Sequence, residues 1–146
     1  MEPRLSFLTL GVSDLDRSRV FYRDTLGWPL STRSNDHVAF FQLNGFVLSL
    51  FPAAELAIDA NVSSEGAGFS RFSMAYNVRE AHDVDGLLAR LQSQGVKIVR
   101  QASTAFWGGR TGYFADPDGF LWEVAHNPGG QLDARGNFWL EPPPGA

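Results

Sequence analysis

The same order of secondary-structure elements is predicted twice along the chain, and this internal repeat constrains the fold more than any other feature. Two stretches have helical periodicity, and each follows a strand-like apolar run: SDLDRSRVFYRDTLGW and REAHDVDGLLARLQSQGV. Extended runs joined by a turn dipeptide come after each helix, with Asn44-Gly45 in the first half and Asp118-Gly119 in the second. The pattern therefore predicts strand, helix, strand, strand, strand, written twice.

The two halves align when their hairpin glycines, Gly45 and Gly119, are superimposed. Ser49 then lies opposite Glu123 in the strand that follows each turn. The stretch between the halves is rich in small and acidic residues, and AAELAID within it is compatible with one helical turn. The predicted division is a first module at 1–52, a linker at 53–69, a second module at 70–128 and a C-terminal tail at 129–146.

Composition excludes several classes of function. With 146 residues, 44% of them hydrophobic, and a net charge of -4, the chain has the means for a compact core and no basic block for nucleic acid or an anionic membrane. It has no cysteine, which excludes disulfides, thiolate zinc sites and a cysteine nucleophile and favours a cytoplasmic location. The start, MEPRLSFLTL, lacks the pattern of a signal peptide. Phosphate loops, dinucleotide fingerprints and Ser-His-Asp arrangements are not visible in the sequence.

Two motifs resemble the vicinal oxygen chelate superfamily, which includes glyoxalase I, extradiol dioxygenases, and fosfomycin- and bleomycin-resistance proteins. They are VSDLDRSRVFYRDTLGW near the start and GYFADPDGFLWEVAHNP near the end, and they bracket about 120 residues. The resemblance implies an α+β fold of two βαβββ modules that pair into a curled eight-stranded sheet around one cleft, usually in a homodimer. Because the superfamily uses one scaffold for many activities, the fold alone settles no reaction.

The resemblance also implies where a metal would bind in the members that use one. Ligands there come from the first and fourth strands of each module, and in this sequence the four positions are Phe7, Ser49, Ser73 and Glu123. Of these side chains, only the carboxylate of Glu123 is a usual ligand. A divalent metal needs three or four nitrogen or oxygen donors that converge on one point. The sequence therefore predicts a degenerate metal site and no cofactor.

The three histidines do not supply the missing ligands. His126 lies three residues after Glu123, so strand alternation directs it to the opposite face. His37 opens a strand and His82 begins the second helix. We therefore interpret all three as ordinary surface or satisfied polar residues.

Strand alternation separates the residues that line the cleft from those that face the helices. The cleft set consists of Phe7, Thr9, Val47, Ser49, Phe51, Ser73, Ala75, Leu121, Glu123 and Ala125. The predicted core set consists of Leu8, Leu10, Phe46, Leu48, Leu50, Met74, Tyr76, Phe120, Trp122 and Val124. A cleft with phenylalanines, small hydroxyls and one carboxylate is typical of a small-molecule pocket, although Phe7 and Phe51 are also compatible with simple space filling.

The segment TAFWGGRTGYF places Trp107 and Arg110 around two glycines. One interpretation is a lid that folds over the cleft, with Arg110 paired to Glu123 or to an anionic ligand. The other is a surface turn in which Trp107 packs on the interface between the modules. The sequence leaves both open.

Two functional hypotheses follow. The first is a metal-free small-molecule binding protein similar to the bleomycin-resistance type. The alternative is a lyase or dioxygenase-type enzyme, either metal-dependent with misplaced ligands or metal-free with Glu123 as acid or base. The candidate ligand-binding residues are Phe7, Ser49, Phe51, Ser73, Trp107, Arg110, Leu121 and Glu123. The expected partners are a small organic ligand and a second copy of the chain.

Overall fold

The structure is a computed structural model that describes residues 3, 5–61, 63–70 and 72–140. The chain divides into two compact units, Met1–Phe69 and Ser70–Ala146. No helix in the described part of the chain is both long and apolar enough to cross a membrane.

The first unit places a short mixed sheet under two helical segments. Its elements are β1 (Phe7–Val12), α1 (Leu15–Val20) with a π-helical continuation (Phe21–Thr25), β2 (Ala39–Gln42), β3 (Val47–Pro52) and α2 (Ala53–Asp59). The strand order is β1-β3-β2, in which β1 and β3 are parallel and β2 and β3 antiparallel. The helical turn predicted within the linker is therefore a helix of seven residues, α2, that follows β3 directly.

The first helix has a side-chain cap at its start and a glycine after its end. The Asp14 side chain accepts a hydrogen bond from the Arg17 backbone N–H at 2.9 Å and so caps the first turn. Tyr22 is fully buried on the inner face of the π-helical continuation. Gly27 follows with a φ of +76°, a left-handed conformation that favours glycine and ends the helix.

The second unit repeats this plan with a fuller sheet. Its elements are β4 (Ser73–Asn77), α3 (Ala81–Ser93), β5 (Lys97–Thr104), β6 (Arg110–Ala115), β7 (Leu121–His126), β8 (Gln131–Leu132) and β9 (Phe138–Trp139). The strand order β4-β7-β6-β5 includes a parallel pair, β4 with β7, that corresponds to β1 with β3. The helix α3 covers this sheet with Val84, Leu88 and Leu91, all of which are buried.

The register of the two parallel pairs confirms the alignment of the halves. Thr9 pairs with Ser49 in the first unit, and Ala75 pairs with Glu123 in the second. Ser49 and Glu123 therefore occupy the same step of two equivalent sheets.

The α+β class is confirmed, but the predicted single curled sheet of eight strands is wrong. Among the described residues the strands form separate sheets of three, four and two strands. The missing strand of the first unit is reduced to one bridge between Leu30 and Phe41. After Ser31 donates its N–H to Phe40 O, the chain turns, and Ser34 Oγ takes the N–H of Phe40 at 2.9 Å in place of a strand partner. The described part of the predicted tail forms the β8–β9 hairpin, and 141–146 lie outside the described residues.

The predicted core is confirmed for six members, and its single clear error is Tyr76. The buried members are Leu10, Leu48, Leu50, Met74, Trp122 and Val124. Leu8, Phe46 and Phe120 are half-buried. Tyr76 is 49% exposed, because β4 is an edge strand and α3 packs over β5, β6 and β7.

Candidate functional site

One face of the first sheet carries two rows of side chains that strand pairing brings together. Phe7, Val47 and Gln42 form one row across the three strands, and Thr9, Ser49 and Phe40 form the next. All six share the face that does not pack against the helices, as the alternation predicts for Phe7, Thr9, Val47 and Ser49.

The Thr9 and Ser49 hydroxyls satisfy each other. Their oxygens lie 2.5 Å apart, and either one can donate the hydrogen. Ser49 is only 2% exposed. A buried hydroxyl needs such a partner, so the pair has a structural role before any ligand is considered.

A cavity of about 220 Å³ opens on this face beside the paired hydroxyls. Its lining consists of Phe7, Ser31, Arg33, Phe40, Gln42 and Val47. The Phe7 and Phe40 rings meet edge to face with centroids 6.2 Å apart. Phe51, which pairs with Gly11, is half-buried and lies outside this lining. Phe7 is 53% exposed, so the cavity has an apolar wall that solvent reaches.

The corresponding face of the second sheet carries a polar cluster around Glu123. The Thr111 hydroxyl donates to Glu123 Oε1 at 2.5 Å, and the Tyr113 hydroxyl also interacts with this carboxylate. Arg100 lies over the Tyr113 ring at 5.0 Å from its centroid. Its guanidinium donates to Ser103 Oγ at 3.0 Å and to Thr111 Oγ1 at 3.4 Å. The cluster thus combines a carboxylate, a phenol and a cation on one sheet face.

The environment raises the pKa of Tyr113 above its ordinary value of 10.0. Burial is the main cause, since it disfavours the phenolate. The negative charge of Glu123 and the hydrogen bond to it act in the same direction, and Arg100 opposes them. The Tyr113 phenol is therefore held protonated next to Glu123 at neutral pH.

We expect Glu123→Gln to move the pKa of Tyr113 down toward its ordinary value, because the substitution removes the negative charge next to the phenol. Burial remains, so the pKa of Tyr113 stays above that value. Ring carbon chemical shifts of labelled tyrosines, followed against pH, measure the change. The wild-type protein, measured under the same conditions, is the control. An identical Tyr113 titration in both proteins would contradict the contact with Glu123.

The other predicted residues of the second unit do not converge on this cluster. Ser73 and Leu121 pair with each other across β4 and β7, and Ser73 is exposed. The predicted pair between Arg110 and Glu123 is not formed. The Nε and Nη2 atoms of Arg110 instead donate to the carboxylate of Asp85 in α3. This follows because alternation along β6 directs Arg110 toward the helix and Thr111 toward Glu123.

Trp107 lies in a tight turn between β5 and β6. Ala105 N–H donates to Gly109 O at 2.8 Å, and Gly108 N–H donates to Ala105 O at 3.0 Å. The Trp107 ring packs on Gly109, where a Cβ would overlap it, and the residue remains 40% exposed. This geometry favours the surface-turn interpretation over the lid.

The residues present do not fit a metal of the kind that some superfamily members use. Of the four implied positions, Phe7 lines the apolar cavity, Ser49 is bonded to Thr9, and Ser73 is exposed. Glu123 is the remaining one. Within the part of the chain that the structure describes, no three His, Asp or Glu side chains are grouped to hold an ion. We therefore assign no step to a metal.

The histidines lie away from both faces. His126 belongs to the helix-facing set of β7 and lines a cavity of about 320 Å³ beside the β8–β9 hairpin. His37 is exposed and its backbone N–H donates to Asn35 Oδ1. His82 is exposed on α3 next to Asp83. This placement agrees with their interpretation as ordinary polar residues.

Sequence reasoning found Glu123 but missed its neighbours Thr111, Tyr113 and Arg100. The signal for the first two was available, because the Asp118-Gly119 turn fixes the register of β6 on β7 and alternation then places both on the Glu123 face. Arg100 was harder to find. The ladder between β5 and β6 shifts register on both sides of Arg100, so strict alternation fails there.

Known proteins are similar to this chain in fold and in sequence. Residues 4–124 match the family described as the glyoxalase/bleomycin resistance protein/dioxygenase superfamily. The chain is 33% identical over 127 residues to the uncharacterized protein YraH of Bacillus subtilis, which covers 83% of this chain and 96% of that one. A glyoxalase-related enzyme from Fulvimarina pelagi superimposes with a TM-score of 0.82 at 36% identity, covering 94% of this chain and 98% of the other. The chain belongs to the glyoxalase/bleomycin resistance protein/dioxygenase superfamily.

A more distant curated relative carries a functional name. The metallothiol transferase FosB of Lysinibacillus sphaericus is 26% identical over 119 residues, which cover 82% of this chain and 79% of that protein.

Proposed function

We propose that this chain is a small-molecule binding protein of the glyoxalase and bleomycin-resistance type that works without a metal. One observation carries the proposal: where metal-using members place ligands, this chain has one carboxylate, and that carboxylate is bonded to Thr111 and Tyr113. In the first unit the hydroxyl of Ser49, at the equivalent position, is hydrogen-bonded to that of Thr9. The neighbouring cavity, with two phenylalanines and a few polar groups, has the composition of a ligand pocket.

A second candidate, an enzyme of the same superfamily, is supported by the contacts of Glu123. A carboxylate hydrogen-bonded to a buried threonine and a protonated phenol has a defined position and a nearby proton donor. Such a pair is suited to general acid–base catalysis on a ligand bound at this face. The names of two relatives, a glyoxalase-related enzyme and a metallothiol transferase, also favour catalysis, and the latter favours a metal with ligands at other positions.

A homodimer in the cytoplasm is part of the same proposal. The outermost strands of the main sheets among the described residues include β1 in the first unit and β4 and β5 in the second, and edge strands favour pairing with another chain. Light scattering at micromolar concentration tests this, and a strict monomer contradicts it.

Metal analysis of protein purified without chelator tests the central claim. We expect no stoichiometric metal in the wild-type protein and no change in Glu123→Gln, because Glu123 lacks converging partner ligands among the described residues. The isosteric substitution keeps the shape of the site, so the fold is retained. One metal per chain in the wild type that is lost in Glu123→Gln would overturn the proposal in favour of the metal-dependent enzyme.

A further inference from the structure

We propose that the cavity of the first unit binds a small organic anion with an apolar body, and that Arg33 binds the anionic group. This inference rests on the proposed function and specifies its ligand class. The cavity supplies both halves of such a ligand site. Phe7, Phe40 and Val47 form the apolar wall, and Arg33 brings a cation to the same space.

The segment that carries Arg33 is fixed to the sheet. Ser31 N–H donates to Phe40 O at 2.9 Å, and Ser34 N–H donates back to Ser31 O at 3.0 Å, so Arg33 lies inside a closed turn. The Arg33 N–H itself donates to Ser31 Oγ at 3.2 Å. Phe40 N–H then binds Ser34 Oγ. The backbone of Arg33 is thus hydrogen-bonded to the strand whose Phe40 side chain forms part of the apolar wall.

The charge of Arg33 lies on an exposed side chain and, unlike the charges of three other arginines, has no counterion among the described residues. Arg19 pairs with Asp16, Arg23 with Asp24, and Arg110 with Asp85. The guanidinium of Arg33 forms no such ion pair within the described part of the chain. A guanidinium has five N–H donors, and beside aromatic walls it is suited to a carboxylate or phosphate group.

The rest of the lining is held by the backbone. Gln42 donates its Nε2 hydrogens to Leu43 O and Phe46 O, so its amide has a fixed position. The volume of 220 Å³ corresponds to roughly seven water molecules at about 30 Å³ each. A single aromatic ring with one acidic group is of a size that this volume can hold.

The inference is tested by titrating labelled protein with three probes and following the signals of its backbone amides. Benzoate has the ring and the charge, benzamide has the ring alone, and acetate has the charge alone. We expect benzoate to shift amides in β1, β2, β3 and the Ser31–Ser34 turn and to bind more tightly than either other probe. Arg33→Gln should weaken benzoate binding by about tenfold or more, because charge-assisted hydrogen bonds are lost. Benzamide binding should be unchanged.

Control variants separate the site from general electrostatics. Arg90→Gln removes an equal charge from the exposed last turn of α3 and should leave benzoate binding unchanged. Arg33→Lys keeps the charge without the planar fork and should retain part of the affinity. Equal losses in Arg33→Gln and Arg90→Gln would overturn the assignment of Arg33.

The outcomes also distinguish this inference from the function on which it rests. Equal binding of benzoate and benzamide would overturn the anion assignment and leave metal-free small-molecule binding standing. Equal binding of benzoate and acetate would overturn the apolar body. If none of the probes shifts these amides, the ligand assignment to this cavity fails. Metal found in the wild-type protein would defeat the proposed function independently.

Discussion

Replacing Phe41 with alanine is expected to lower the free energy of unfolding by about 3–5 kcal/mol. Phe41 is 0% exposed, and its ring lies 5.8 Å from that of Tyr22 and 6.4 Å from that of Trp28. This aromatic cluster forms much of the core where the first sheet has a single bridge, at Leu30, in place of a fourth strand. The substitution removes a large buried side chain, and the small sheet cannot collapse enough to fill the cavity that it leaves.

The adjacent residue provides the control. Phe40 lies on the opposite face of β2, is half-buried and lines the cavity. Phe40→Ala should therefore cost clearly less stability than Phe41→Ala while weakening the binding of benzoate. Urea denaturation followed by circular dichroism measures both losses. Equal destabilisation by the two substitutions would show that the two faces are not distinguished as the structure requires.

Replacing Gly112 with alanine is expected to cost up to about 3 kcal/mol, the upper end of the range for overpacking. A Cβ at Gly112 would overlap Leu88 Cδ1 of α3 and lie 2.9 Å from Arg100 O of the neighbouring strand. One of these obstacles is backbone, which cannot move aside as a side chain can. The helix α3 and the strand β6 approach closely at this point only because Gly112 has no side chain.

Gly86, on α3 itself, is the matched glycine. A Cβ there meets nothing within 4 Å, so alanine introduces no clash. Gly86→Ala should raise the free energy of unfolding by roughly 0.5–1 kcal/mol, because alanine restricts the unfolded chain and favours the helix. Thermal and urea unfolding of the two variants should thus shift in opposite directions. A loss of stability in both would contradict the open environment at Gly86.

Much of the fold could be predicted because its signals are local. The cap at Asp14, the helix-ending Gly27 and the turn glycines Gly45 and Gly119 each act within a few residues, and the two turn glycines lie where the pattern placed them. Alternation then assigned most side chains to the correct face. The prediction that Tyr76 belongs to the core was wrong, because alternation gives the face of a residue and not whether a helix covers that face.

The site was harder to predict because it depends on contacts between distant segments. Glu123 was identified from its neighbours in sequence, but Thr111 binds it across a hairpin. The lid interpretation offered Glu123 or an anionic ligand as the partner of Arg110, whereas a helix residue 25 positions earlier, Asp85, binds it. Arg33 was not among the predicted site residues, because its turn depends on the Ser34 hydroxyl, for which no sequence signal was used.

The shared register of the two halves gives protein engineers an internal template. One step of the parallel pairing carries Thr9 with Ser49 in the first half and Ala75 with Glu123 in the second. Two different pairs of side chains are therefore compatible with equivalent backbones. A designer can transplant either pair into the other half without guessing an alignment. Duplication of this kind also allows one copy to diversify under selection while the other keeps its original surface.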